Sequence, residues 1–573
     1  MTSPASLRTR LRRIAPWAAL LVFALILSGC AMVTSAVGAV WPTLVLATAV
    51  ALAACGSGGG GGGSGSSGPT KTVVQLGELD GTDGFRVDGL NGYDEIGRAV
   101  SAVGDLNGDG IPDIVVAAPG FDGPGPVLGA VYVIFGHSSG AAWSSSVSLS
   151  TLNGSNGFRI DAASGGDFAG ASVAPAGDVN GDGVPDLLIG ASTAAAGGTY
   201  RGAVFVVFGH SSGEAWSSTL SLASLDGSNG FRLDGVADHD YTGTSVSTAG
   251  DINGDGADDI LIGAYAADNN GSGSGSVYVV FGHSSGAAWS STVALNSLDG
   301  NNGFRVDGAS GANFGFSMAA LGDFNGDGHD DILVSAPWAT IATADSYEGA
   351  AYVIFGQSSG ASWSSSFSVT SLNGSNGFRL AGPAAHGYVG GAVSVVGDVN
   401  GDGRTDLAVA APIGGGDYYG VVYVVFGQSS GFSWSSSVDL GSLNGSNGFA
   451  LRGNKDNLSP GKAVSAVGDV NDDGIPDILI GAPSAKVGEA TVGTAYVVYG
   501  RSSGNPWPAT LSLGSLTSAT GFRMEGEVDD AGTGSAVTGL GDINGDGIPD
   551  ILVGAYRTNG FAGTAYVIFG GQQ

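Results

Sequence analysis

The decapeptide Gly104-Asp105-Leu106-Asn107-Gly108-Asp109-Gly110-Ile111-Pro112-Asp113 is written, with small changes, seven times in this chain of 573 residues. Its Gly-Asp-x-Asn core places Asp at positions 105, 178, 251, 323, 398, 469 and 542, at intervals of 73, 73, 72, 75, 71 and 73. Length alone suggests about four domains of roughly 150 residues. The period overrides that prior: residues 71–573 hold seven units of about 72 residues each, one array rather than four domains.

Each unit reads alike. In the second, a small and apolar run, Ala171–Gly177, enters the loop Asp178–Asp186. Leu187–Ala191 follows, then a Gly-rich turn, Ala203-Val-Phe-Val-Val-Phe-Gly209, a Leu-rich stretch and Phe231-Arg-Leu-Asp-Gly235. The runs are short, β-branched or aromatic, and bounded by Gly, Asn, Asp and Pro, so they are strands. No window sustains a 3.6-residue apolar period, which predicts almost no helix. Four strands per repeat point to an all-β, seven-bladed β-propeller with four-stranded blades. The ends support a closed ring. The body opens on Val73–Gly89, which matches the fourth-strand part of a unit such as Val147–Ala162, and stops at Ala565–Gly570, the third-strand part. Pairing of Phe85-Arg-Val-Asp88 with Thr564–Phe569 would complete the last blade and leave no long open edge. A linear solenoid would call for atypical capping units.

The seven loops fit Asp-x-Asn-x-Asp-Gly-x-x-Asp, which resembles an EF-hand loop without its helices. Side-chain oxygens at positions 1, 3, 5 and 9 and the carbonyl at position 7 form the ligand set. These are Asp105, Asn107, Asp109, Ile111 and Asp113 in the first loop, and Asp178, Asn180, Asp182, Val184 and Asp186 in the second. The third has Asp251, Asn253, Asp255, Ala257 and Asp259; the fourth has Asp323, Asn325, Asp327, His329 and Asp331. The fifth has Asp398, Asn400, Asp402, Arg404 and Asp406; the sixth has Asp469, Asn471, Asp473, Ile475 and Asp477. The seventh has Asp542, Asn544, Asp546, Ile548 and Asp550. All-oxygen ligands select Ca²⁺ ahead of Mg²⁺ or Mn²⁺ and disfavour Zn²⁺ or Cu²⁺. Up to seven Ca²⁺ ions are expected. A twelfth-position Glu is absent, which places affinity in the weak extracellular range of roughly 10⁻⁴–10⁻³ M. Asn-Gly and Asp-Gly also make plain hairpin turns. That reading leaves three mutually repelling carboxylates per loop without a reason. The sixth loop puts Asp472 where the others have Gly, at a position that supplies no ligand.

Charge composition agrees. Of 51 acids, 44 are Asp and 7 are Glu, against 20 bases, for a net of −31. Such a surface excludes phosphate-led nucleic-acid binding, and 43% hydrophobic residues exclude an acidic disordered chain. The N-terminus is different. Arg8, Arg10, Arg12 and Arg13 precede an apolar run, Ile14–Leu27, the pattern of an export signal. Both Leu27-Ser-Gly-Cys30 and Leu52-Ala-Ala-Cys55 resemble the lipobox of bacterial lipoproteins. The Gly/Ser tether after Cys55 favours Cys55 over Cys30 as the lipidated residue. An uncleaved membrane anchor and a misassigned start codon are the alternatives. The expected organisation is a signal and lipoprotein-type segment over 1–55, a tether over 56–70 and the propeller over 71–573, exported to a bacterial cell surface, outer membrane or periplasm, lipid-anchored or secreted. Loss of the four arginines takes the net charge from −31 to −35, and seven Ca²⁺ would bring it to about −21.

Apparent catalytic signals dissolve into the repeat. Gly136-His-Ser-Ser-Gly140 matches a hydrolase nucleophile elbow, but the same turn recurs at Gly209, Gly282, Gly356, Gly427 and Gly500. It carries His137, His210 and His283, which makes them structural. Trp143, Trp216, Trp289, Trp363, Trp434 and Trp507 follow at matched positions and are expected to staple the blade peripheries; exposed, they would instead make a lectin. A hydrolase or lyase acting on surface polysaccharide or lipid would need non-repeated groups. Asp238-His239-Asp240 and His386 are the only candidates, so no catalytic residue is assigned. Asn153, Asn373 and Asn444 open glycosylation sequons that matter only in a glycosylating host.

With these motifs on the page, the unit resembles the FG-GAP repeat, the blade of the integrin alpha-subunit propeller. Its "FG" stands at Phe135-Gly136, Phe208-Gly209, Phe281-Gly282, Phe355-Gly356, Phe426-Gly427 and Phe569-Gly570, with Tyr499-Gly500 as a variant. Its "GAP" stands at Ala117–Pro119, Gly190–Ser192, Gly263–Tyr265, Ser335–Pro337, Ala410–Pro412, Gly481–Pro483 and Gly554–Tyr556. The resemblance implies a seven-bladed propeller with Ca²⁺ between the first two strands of each blade, and a role in adhesion and protein contacts. Such propellers also occur beside catalytic domains in some secreted phospholipases, which implies the alternative of an accessory module. The expected partner is an extracellular protein or glycan bound by a monomeric propeller that meets the membrane only through its N-terminal anchor.

Overall fold

The computed structural model describes residues 71–571 other than 122–128, 138–141, 196–197, 212, 284–287, 343–345, 359–362, 416–417 and 457–458. The export segment, Cys30, Cys55 and the 56–70 tether lie outside the described residues.

The strands read from sequence form seven sheets. In the second blade they run Ser172–Gly177, Asp186–Ala191, Ala203–Val207 and Gly230–Asp234, each antiparallel to the one before. The second and third strands are buried along their full length in every blade. A blade is sandwiched between its neighbours, so both faces of these strands need apolar side chains and the sequence shows continuous runs instead of alternation.

The core therefore lies between blades. Val115, Val133 and Phe158 of the first blade pack with Leu187, Ile189 and Phe205 of the second. Burial of one such Phe contributes roughly 2–3 kcal/mol. The ring closes as the chain ends imply. Gly84–Asp88 pairs antiparallel with Thr564–Ile568, Phe85 lying opposite Val567. Ile114 and Val116 of the first blade share a cluster with Leu552 and Val567 of the last. The innermost strands touch their neighbours all the way round, Ala536–Gly541 of the last blade meeting Val100–Ala102 of the first.

Each blade also carries a fifth strand beyond the four expected. Thr219–Ser221 of the second unit leaves its own blade and pairs in parallel with Gly157–Asp161 of the first, Leu220 opposite Ile160. The chain then makes a short 3₁₀ turn, Leu222–Ser224, and returns as the fourth strand of its own blade. The loan covers the fourth strand of the preceding blade and leaves an outer edge only three residues long. Val73–Gln75 does the same for the sixth blade against Gly521–Glu525. Helix is almost absent among the described residues, with one four-residue α-turn at Thr558–Phe561.

The tryptophans secure this overlap. Trp216 stacks on Phe158 of the preceding blade at 4.1 Å and 11°, and the other five stack on the matching Phe at 3.9–4.3 Å. Four of the six are buried. All six staple blades, and the four buried ones present no open face to a sugar.

Candidate metal centres

The acidic loop is the hairpin between the first and second strands. A glycine ahead of position 1, such as Gly177 with φ 78°, takes a left-handed backbone and breaks the ladder register there, as a bulge that turns the strand into the loop. Gly183 at position 6 is also left-handed, φ 89°. At position 4 of the sixth loop Asp472 adopts φ 58°. Asp tolerates that conformation better than most residues, so the sixth loop keeps its shape without the usual glycine.

Loop amides fix the side chains. Asp178 Oδ1 accepts from Asp182 N at 2.9 Å and Oδ2 from Gly183 N at 2.8 Å. Asn180 Oδ1 accepts from Asp182 N at 2.9 Å, and Asp182 Oδ1 from Val184 N at 2.9 Å. The position-1 pattern recurs in all seven loops. Positions 1, 3, 5 and 9 thus belong to one hairpin, with the side chains at 1, 3 and 5 held by its own amides. Among the described residues no three acid, imidazole or thiol side chains are already drawn together as a ready-made metal cluster; the carboxylates are engaged with amides instead.

Position 9 is the distinctive group. Asp113, Asp186, Asp259, Asp331, Asp406, Asp477 and Asp550 are all fully buried. Asp186 Oδ2 accepts from Val179 N at 3.1 Å and Oδ1 from Gly209 N at 2.9 Å. Asn180 Nδ2 donates to Oδ1 at 3.4 Å. Burial pushes these carboxyls up to about 8 in five blades, against the pull of the amide bonds and with a further push from the acids at positions 5 and 1. Asp550 is pushed up to about 7 and Asp259 well above the ordinary range by the same burial. Among the described residues no Lys, Arg or His pairs with any of the seven; Arg404 at 3.3 Å from Asp402 is the one ion pair within a loop. A buried carboxylate beside two others, with no cationic side chain, is what an oxygen-liganded cation would balance. The residues present fit Ca²⁺: carboxylate and amide oxygens at positions 1, 3, 5 and 9, and the carbonyl of Ile111, Val184, Ala257, His329, Arg404, Ile475 or Ile548.

Two contributors escape a sequence reading. The glycine of each FG element donates its N–H to the ninth carboxylate. In the third and fourth loops the position-8 residue also matters, because Asp258 Oδ2 accepts from Asp178 N at 2.8 Å and Asp330 Oδ2 from Asp251 N at 2.9 Å, joining neighbouring blades.

The residues that resemble catalytic groups each have structural contacts. His210 stacks on Trp216 at 4.0 Å and its N–H donates to Leu106 O at 2.9 Å; His137 and His283 repeat this. Asp238 pairs with Arg201 at 3.0 Å, and Asp240 Oδ2 accepts from Ala237 N at 3.0 Å, so both acids flanking His239 have other partners. His386 lies near Tyr347 and Tyr388.

Comparison with known proteins bears on this geometry. The model of the FG-GAP repeat matches residues 97–134, 169–207, 242–280, 314–354, 389–425, 462–498 and 533–568. A bovine phosphatidylinositol-glycan-specific phospholipase D is 35% identical over 209 residues, 36% of this chain and 22% of that protein. Mouse integrin alpha-IIb is 38% identical over 178 residues, 30% of this chain and 15% of the integrin. The human phospholipase D is 29% identical over 421 residues, 70% of this chain and 44% of its own length. The chain thus spans less than half of each of these relatives.

Proposed function

This chain belongs to the FG-GAP repeat proteins, and on that premise we propose that it is an exported, Ca²⁺-loaded propeller acting in adhesion, as an interaction module for an extracellular protein or glycan. The observation that carries the reading is the set of seven fully buried ninth-position aspartates, held by amides and lacking a cationic side-chain partner among the described residues. When bound, Ca²⁺ supplies the countercharge. The chain's own residues orient the oxygens and keep the hairpins in one conformation, so that the inter-blade connections form a rigid surface. Likeness to integrin alpha chains supports the adhesive part of the reading. Cys55 or Cys30 would anchor the chain by lipid. Among the described residues no helix is long and apolar enough to cross a membrane. The direct test is retention of the full chain on cell or matrix surfaces with Ca²⁺ and with chelator. Retention that requires Ca²⁺ supports the reading, and equal retention in both overturns its calcium half.

Likeness to phosphatidylinositol-glycan-specific phospholipase D supports a second reading, an accessory module beside a hydrolase. Addition of the full chain to a phosphatidylinositol-glycan-specific phospholipase D assay tests it; faster cleavage of the anchor would favour this reading over adhesion.

A further inference from the structure

The second strand of each blade starts at the ninth loop residue and ends at the GAP element, as in Asp186–Ala191. At about 3.3 Å per residue, the acidic loops and the GAP segments therefore lie on opposite faces of the disc. The GAP face carries a row of aromatic rings, among them Tyr265 of a GAP element. Tyr200 stacks on Tyr241 at 5.8 Å and 9°, and Tyr241 on Tyr265 at 5.9 Å. Tyr265 meets Phe316 at 6.0 Å, and Phe316 meets Trp338 at 5.3 Å. Trp338 meets Tyr388 at 6.4 Å, and Tyr388 stacks on Tyr347 at 6.1 Å and 10°. The row crosses from the second unit to the fifth.

Four of its tyrosines, 200, 241, 347 and 388, sit at φ between 43° and 53°. The same left-handed turns recur at the matching residues Glu95, Phe168, Asn313, Ser459, Tyr418 and Phe561 of other units, so the repeat's own turns set where these rings stand. The row ends at a cavity of about 420 Å³. Phe316, Trp338 and Tyr388 line it together with Lys462, Tyr556 and Arg557. Arg557 lies over the Tyr556 ring at 5.1 Å and pairs with Asp530 at 3.2 Å. Lys462 is exposed and has no carboxylate partner among the described residues. In a chain with 20 bases against 51 acids, a cavity lined by Lys462 and Arg557 and by no acid is a local reversal of sign, with Lys462 the unpaired cation and Arg557 shared with Asp530.

We propose that this aromatic row and its cationic end bind an extended acidic saccharide, a chain bearing uronate carboxylates. Ring faces accept either a cation or the C–H face of a pyranose. The ammonium of Lys462 and the guanidinium of Arg557 repel a cationic occupant and bind carboxylate. The length of the row suits a chain of sugar rings and exceeds the reach of one small anion. The site deepens the interaction function proposed above and rests on that reading, but it uses none of the Ca²⁺ ligands.

The test is calorimetric titration of the full chain, in Ca²⁺, with a hyaluronan oligosaccharide and with its carboxyl-reduced, neutral counterpart. The acidic chain is expected to bind and the neutral one to bind at least about tenfold more weakly. Trp338→Ala should weaken binding by at least about tenfold, the scale of a central aromatic anchor. Lys462→Glu should erase the preference for the acidic chain. Phe432→Ala, an exposed aromatic outside the row, should change nothing, and melting curves show that each variant folds. Absence of binding, equal binding of the neutral chain, preference for an arginine-rich peptide, or indifference to Trp338→Ala overturns the proposal. Surface retention that survives Trp338→Ala would overturn this site alone and leave the interaction reading standing.

Discussion

The N–H of Gly209 donates to Asp186 Oδ1 at 2.9 Å, across 23 residues of sequence. The end of the third strand is thereby tied to the buried carboxylate at the base of the acidic loop, and the same bond recurs in all seven blades. It joins the FG element to the loop in one unit. A Cβ at residue 209 would collide with the Pro185 carbonyl and lie 2.6 Å from Val184 Cγ1. Gly209→Ala should therefore cost about 2–4 kcal/mol through overpacking and a displaced hydrogen bond, read by denaturant unfolding. A cost below about 0.5 kcal/mol, the level of a neutral surface change, would contradict this role.

Ring closure predicts that the first fourth-strand segment is as important as any internal one. Phe85 is fully buried opposite Val567, and Phe304 is its counterpart inside the array. Phe85→Ala and Phe304→Ala should each cost about 3–5 kcal/mol. A linear array would tolerate Phe85→Ala far better, because a terminal segment frays.

The tryptophan staples should behave as packing groups. Trp216→Ala removes the stack on Phe158 and should lower stability by about 3 kcal/mol while leaving saccharide binding unchanged in titration. Loss of sugar binding with unchanged melting would instead return these residues to a lectin role.

The ninth-position carboxyls set a pH dependence. Their folded, metal-free value of about 8 in five blades lies above the ordinary unfolded value of about 3.9. The folded form then holds more protons than the unfolded one at these sites, so their contribution to the metal-free fold is greatest below about pH 4 and is lost as pH rises toward about 8. Bound Ca²⁺ requires the ionised form and removes that penalty. The gap in melting temperature between Ca²⁺-loaded and chelated protein should widen from pH 5 to pH 8. A gap that stays constant or narrows would contradict the assignment.

Much of this architecture is legible in the sequence because it repeats. The 73-residue interval fixes the number of blades, the period-free apolar runs mark the twice-covered strands, and the spare segment Val73–Gly89 at one end announces closure. The borrowed strand is not legible, since Ser146–Val147 or Thr219–Ser221 is too short to carry an alternation and its partner belongs to another blade. The Gly209–Asp186 bond is hidden by sequence distance, and the Asp258–Asp178 contact is hidden by the blade boundary it crosses. The aromatic row is invisible for a different reason: its rings stand in the connections between strands, at repeat positions that other units fill with other residue types, so no motif marks them.

Calcium titration of the full chain by equilibrium dialysis tests the central claim most directly. It should find up to seven Ca²⁺ per chain with dissociation constants of roughly 10⁻⁴–10⁻³ M. Asp178→Asn should lose or weaken one site, and chelation should lower the melting temperature reversibly by mass action. Absence of saturable Ca²⁺ binding at millimolar concentrations, with a melting curve unmoved by chelator, would contradict the account.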